Sequence, residues 1–189
     1  MVKEKIAVFW FRRDLRLNDN AGLYHALKSG FKVLPIFIFD KNILDKLEDK
    51  DDARITFIYQ EIEKIKTQIQ KQNSSLLVKY GKPDDVWAGI LSDYDIEAVY
   101  TNHDYEPYAF ERDEALNTYF SKKDITFFTY KDQVVFEKSE IVKDDGKPYV
   151  VFTPYKRKWL AKLNNSYIES YPTEKYFKNF IDVKAYDLP

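Results

Sequence analysis

Residues 8–23 read VFWFRRDLRLNDNAGL, and the junction inside that stretch decides the fold. The run from Lys5 to Phe11 is short, almost wholly apolar and rich in β-formers, which describes a strand buried on both faces. It ends abruptly in five charges, Arg12, Arg13, Asp14, Arg16 and Asp19. A short helix follows over residues 20–29, with Asn18 or Asp19 as N-cap and Gly30 as stop. Strand, polar turn and helix in that order open a β-α unit. The turn lacks the G-x-G-x-x-G of a dinucleotide cradle, and no G-x-x-x-x-G-K-[ST] occurs in the chain. Arginine there has two readings. Asp14 can pair with a neighbouring arginine while Asp19 caps the helix. Alternatively, one planar guanidinium faces a crevice and holds an anion or a polar ring.

Outward from this junction the same alternation repeats. Further strands are expected at 32–39, 75–80, 97–101 and 125–130. Pro35 cannot donate to a ladder, so it marks an edge, a bulge or a strand start. Helices are expected at 51–72, 84–92 and 107–121, with Pro83 and Pro107 in first-turn positions. Ile55, Ile58, Ile62, Ile65 and Ile69 draw one apolar stripe along the longest of them. The resulting fold is α/β: a doubly wound parallel five-stranded sheet in a Rossmann-like three-layer sandwich without a glycine-rich loop. Ligands of such sheets bind beyond the carboxyl ends of the strands, which here selects the loops 12–19, 40–50 and 102–107. Residues 1–131 form this domain. Residues 132–189 read as an extension, with a helix starting near Thr153 or Pro154. Its last part, 164–189, has no core of its own and is expected to lie on a partner domain.

Composition narrows the function. The 189 residues suit one domain, and a hydrophobic share of 44% suits a real core. A net charge of −1 lacks the basic excess of a free-standing DNA-binding module. Cysteine is absent, which rules out a disulfide framework, a cysteine zinc site and a cysteine nucleophile. The N-terminus lacks the pattern of a signal peptide, and no apolar run suffices for a membrane helix, so a cytoplasmic location is expected. His25 is expected to pack in its helix, whereas His103 sits in a strand-end loop. Two isolated histidines without clustered carboxylates make no metal site.

Three stretches carry a signal. Besides the first turn, YTNHDYEPYAFERDEAL (100–116) places Asp104 and Glu106 beside a helix N-terminus. There they either favour the helix dipole or accept hydrogen bonds from a ligand. KPYVVFTPYKRKWLAKL (147–163) is basic and aromatic, fit to pack on a partner surface or to contact nucleic acid through Lys156, Arg157 and Lys158.

Together these stretches resemble the N-terminal domain of the DNA photolyase and cryptochrome family. The resemblance rests on Phe9-Trp10-Phe11-Arg12-Arg13-Asp14-Leu15-Arg16 with Asp19-Asn20. It rests also on Asp104, Glu106-Pro107-Tyr108-Ala109 and Arg112-Asp113, and on Val151-Phe152-Thr153-Pro154-Tyr155 with Trp159. It implies the antenna-chromophore domain of a blue-light-driven enzyme that repairs pyrimidine dimers in DNA. The catalytic residues and FAD would belong to a helical domain absent from this chain, which makes the chain a truncated piece or a natural half. The partners implied are that FAD-binding domain and, for the whole protein, damaged DNA. A cryptochrome photoreceptor domain and a stand-alone flavin- or nucleotide-binding module are the alternatives. By position, the resemblance implies Arg12, Phe37, Phe39, Asp40, Arg54, Asp104 and Glu106 as chromophore-binding residues. Folate-using relatives typically carry an acid three positions after the loop glutamate. Ala109 stands there, which favours a deazaflavin or flavin antenna over folate.

Overall fold

The computed structural model describes residues 3–49 and 51–189. Five parallel strands form one sheet: β1 (Lys5–Phe11), β2 (Lys32–Asp40), β3 (Leu77–Gly81), β4 (Asp95–Asn102) and β5 (Thr126–Tyr130), in the order β3-β2-β1-β4-β5. The helices between them are α1 (Ala21–Leu27), α2 (Lys41–Leu44), α3 (Ala53–Gln70), α4 (Pro83–Asp93) and α5 (Pro107–Ser121). Alternation along β1 divides the core in two, because successive side chains of a strand leave by opposite faces. Ala7, Phe9 and Phe11 meet α1 and α3, while Ile6, Val8 and Trp10 meet α4 and α5. The three-layer doubly wound architecture read from the sequence is the one observed.

The α3 stripe has two uses. Ile62, Ile65 and Ile69 are buried against the sheet, each worth about 1.5–3 kcal/mol. Ile55 and Ile58 lie one to two turns earlier and are only half buried. They extend past the sheet and face the space beyond the strand ends. The preceding segment holds α2, a single turn capped by Asp40, where the sequence suggested only loop.

The first turn is held from within. Asp14 accepts from the Arg12 backbone N–H at 2.9 Å, from Asn20 Nδ2 at 3.0 Å and from Asn102 Nδ2 at 2.6 Å. The cap of α1 is Asn20, not Asn18 or Asp19, and its Oδ1 accepts from the Leu23 N–H at 3.0 Å. Asp19 takes a left-handed conformation (φ 51°) and accepts from the Tyr171 N–H instead. Gly22 sits where α1 crosses β4. A Cβ there would lie 2.8 Å from Asn102 Oδ1 and 2.9 Å from the Phe9 ring.

After β5 the chain passes through irregular structure into α6 (Phe152–Lys162). This helix starts ahead of the expected Thr153 or Pro154, and proline in its first turn removes no internal hydrogen bond. Part of the 164–189 segment packs on this domain. It runs back over the layer of α1 and α3. Thr173 Oγ1 donates to the Leu17 carbonyl at 2.7 Å, and Asn179 Nδ2 to the Leu27 carbonyl at 2.8 Å. Phe180 enters the core at 1% exposure. There the tail pairs in parallel with β2, Val33 opposite Phe180, and the Ile181 N–H bonds the Val33 carbonyl at 2.9 Å. β3 pairs with β2 only from Ile36 onward. Pro35 therefore falls between two short partners of one strand side, which explains how an inner strand accommodates it.

Candidate functional site

A cavity of about 460 Å³ opens beyond the carboxyl ends of β1, β2 and β4, within the range of small-molecule sites. All seven residues singled out from the sequence line it: Arg12, Phe37, Phe39, Asp40, Arg54, Asp104 and Glu106. Trp10, Ile43, Leu44, Ile55, Ile58, Tyr108 and Ala109 complete a wall that is chiefly apolar and aromatic. Arg13 and Arg112 line it too, although the sequence did not set them apart as binding residues. The signal for Arg112 was its place one helical turn after Tyr108, on the same face of α5.

The polar groups form a closed network. Arg12 Nη1 donates to both oxygens of Asp113 at 2.6 Å, and its Nη2 bonds the Asn102 carbonyl. Arg112 bonds Asp113 through Nε at 3.2 Å and Nη2 at 3.0 Å. Its Nη1 lies 3.8 Å from Asp40. The Tyr108 hydroxyl donates to Asp40 Oδ2 at 2.7 Å and accepts from Asn42 Nδ2 at 3.0 Å. Both guanidiniums lie against the Trp10 ring, at 5.3 Å for Arg12 and 4.8 Å for Arg112. Arg12 thus faces the cavity with a side chain only 6% exposed and most of its donors engaged. Burial lowers its pKa from the ordinary arginine value, and Asp113 opposes that shift.

Arg13 is the solvent-facing arginine of the turn, 56% exposed, with Nη1 3.2 Å from Glu106 and 3.5 Å from Asp104. Arg54 pairs with Asp52, the cap of α3, whose carboxyl it holds down to about 2. His103 lies outside the cavity, with Nδ1 2.7 Å from Glu137 and Nε2 3.0 Å from Thr129. His25 stacks on Tyr130 at 4.3 Å between ring centroids, a packing role. Among the described residues no group of three or more His, Cys, Asp or Glu is placed to hold a metal ion, and no helix is long and apolar enough to cross a membrane.

Burial, followed by the bond to Asp40, pushes the Tyr108 phenol up to about 12. The neutral form is favoured in the folded state, so this contribution is complete below pH 10 and lost as pH rises from about 10 to 12. Tyr105 and Tyr186 are raised as well. Absorbance titration at alkaline pH should show Tyr108→Phe losing one late-ionising phenol. An unchanged late phase would mean that Tyr108 ionises with the exposed tyrosines.

Fold and crevice define a doubly wound α/β domain with a cavity at the strand ends. Comparison with known proteins gives the family. The DNA photolyase family model matches residues 7–175, and the chain belongs to that family. A deoxyribodipyrimidine photo-lyase of Synechococcus is 30% identical over 167 residues, which are 88% of this chain and 34% of that protein. The crystal structure of a bacterial class III photolyase from Agrobacterium tumefaciens superposes with a TM-score of 0.79, at 24% identity, over 92% of this chain and 35% of the other. An archaeal photolyase from Sulfolobus tokodaii, solved with two FAD molecules and described as implying a novel light-harvesting cofactor, gives 0.66 at 30% identity, over 72% and 32%. The chain spans about a third of the length of these proteins, corresponding to their N-terminal α/β part.

Proposed function

We propose that the crevice holds a flat antenna chromophore, a deazaflavin or flavin, and that the domain serves a light-driven deoxyribodipyrimidine photolyase together with a helical FAD-binding domain and damaged DNA. The carrying observation is the cavity itself, aromatic and apolar walls closed by a polar network at the strand ends. Such walls suit a ring system with a few polar edges. Trp10, Phe37, Phe39 and Tyr108 would flank the ring. Arg12 and Arg112 would present fixed N–H groups to its carbonyl edge, held still by Asp113 and Asp40. Bound there, the chromophore supplies absorption of blue light and passes the excitation on. Ala109 supports a flavin-type ring over folate, because a methyl group stands in the wall where folate-using relatives carry an acid. The second FAD of the Sulfolobus tokodaii photolyase supports the same choice.

The test is titration of the purified chain with riboflavin, 5-deazariboflavin and a reduced folate, read by ligand fluorescence. Saturable binding of a flavin or deazaflavin and none of the folate is expected. Ile55→Trp places an indole in the cavity and should weaken binding about 100-fold or more while the domain stays folded. If no flavin or deazaflavin binds, or if Ile55→Trp binds as the parent does, the reading fails.

A further inference from the structure

We infer, on the chromophore reading above, that the crevice selects an unphosphorylated flavin or deazaflavin over the mono- and dinucleotide forms. Asp104 and Glu106 set this preference by occupying Arg13. The charges inside the cavity are balanced. Arg12 and Arg112 are matched by Asp113 and Asp40, two positive against two negative, all with side chains at most 18% exposed. Nothing there is left to neutralise an anion, and an unpaired buried charge is costly. The part of the ligand inside the cavity is therefore neutral.

A phosphate tail would have to lie at the mouth. Lys46 lies over the Tyr108 ring there, at 5.4 Å, and the two arginines of the mouth are both engaged. Arg54 is paired with Asp52, and Arg13 bridges two carboxylates. By sequence alone, the strap joining α2 to α3 holds five acids against two lysines. Helix N-termini are the other usual phosphate holders. The two that reach this mouth carry the protein's own acids. Asp52 caps α3 and accepts from the Arg54 N–H at 2.8 Å. At α5, Glu106 is the N-cap residue, Asp104 accepts from the Glu106 N–H at 3.3 Å, and Pro107 has no N–H to offer. Both arginines of the mouth, and the N-terminus of α3, face carboxylates already in place.

The experiment measures riboflavin, flavin mononucleotide and FAD affinities for the full chain by fluorescence titration at low and high salt. Riboflavin should bind about tenfold more tightly than the mononucleotide at low ionic strength, and the gap should narrow at high salt as exposed charges are screened. The variant Asp104→Asn with Glu106→Gln keeps the hydrogen-bonding shape of the rim but frees Arg13. It should close most of that gap, read as a several-fold rise in mononucleotide affinity relative to riboflavin in the same variant. Glu106→Gln alone, at a position 67% exposed, should move in the same direction and guards against misfolding of the double variant. Equal affinities in the parent, or a gap unmoved in both variants, overturn the inference while leaving flavin binding intact. Binding of none of the three, nor of 5-deazariboflavin, overturns the chromophore reading and this inference together.

Discussion

Replacement of Asp113 by alanine should lower the unfolding free energy by about 3–5 kcal/mol, measured by urea denaturation followed by circular dichroism. Asp113 sits in the second turn of α5 and accepts from two guanidiniums at once. One belongs to the first turn of the chain, 101 residues away. Without the carboxylate, Arg12 keeps only the Asn102 carbonyl, and Arg112 keeps a loose contact at 3.8 Å to Asp40. Two buried like charges would then face each other against Trp10. The penalty comes from stranding charge, not from losing an attractive pair, so removing both ends should recover much of it. Arg12→Met combined with Asp113→Leu is the control. A loss below about 1 kcal/mol for Asp113→Ala would show that water reaches the guanidiniums and that the network contributes as little as an exposed pair.

The second large effect concerns the tail. Phe180→Ala should cost about 3–5 kcal/mol, the usual penalty for truncating a buried phenylalanine. Phe180 packs in the cluster that contains Phe37, Ile62 and Ile69, and Phe177 stacks on it at 5.6 Å. Limited proteolysis should show the same variant cut earlier between residues 164 and 189 than the parent. If the variant unfolds at the parent's urea midpoint, the tail contributes nothing to the domain and only rests on it.

The sequence was legible where structure is local. Local patterns announced the strands and helices, because a doubly buried strand and an isoleucine stripe each write their period into adjacent residues. The strand-end rule then located the crevice, and the seven chosen residues line it. The partition of the arginines was not legible. Arg12 and Arg13 are neighbours with the same chemistry in the bend after β1, and one reaches Asp113 while the other reaches Glu106. Only the distant partners tell them apart. The tail misled for a related reason. Its anchors, Thr173, Asn179 and Phe180, are scattered among polar residues with no period, so each contact is made to a remote carbonyl or cavity rather than repeated along an element. His103 follows β4 directly into a strand-end loop, and its ring turns toward Glu137 and Thr129.

Pro35 has a consequence for how the sheet is assembled. N–H groups of alternate residues in a strand face the same side, so the missing hydrogen of Pro35 lies on the side where Val33 bonds the tail. Neither neighbour can slide past that point. The tail cannot advance toward the crevice, because its next bond would need the absent donor. β3 cannot slip backward by one repeat for the same reason. One ring without a hydrogen works as a stop between two lengths of chain that reach β2 from the middle and from the end of the sequence. It keeps Phe37, Phe39 and Asp40, the crevice side of that strand, opposite a single permitted partner.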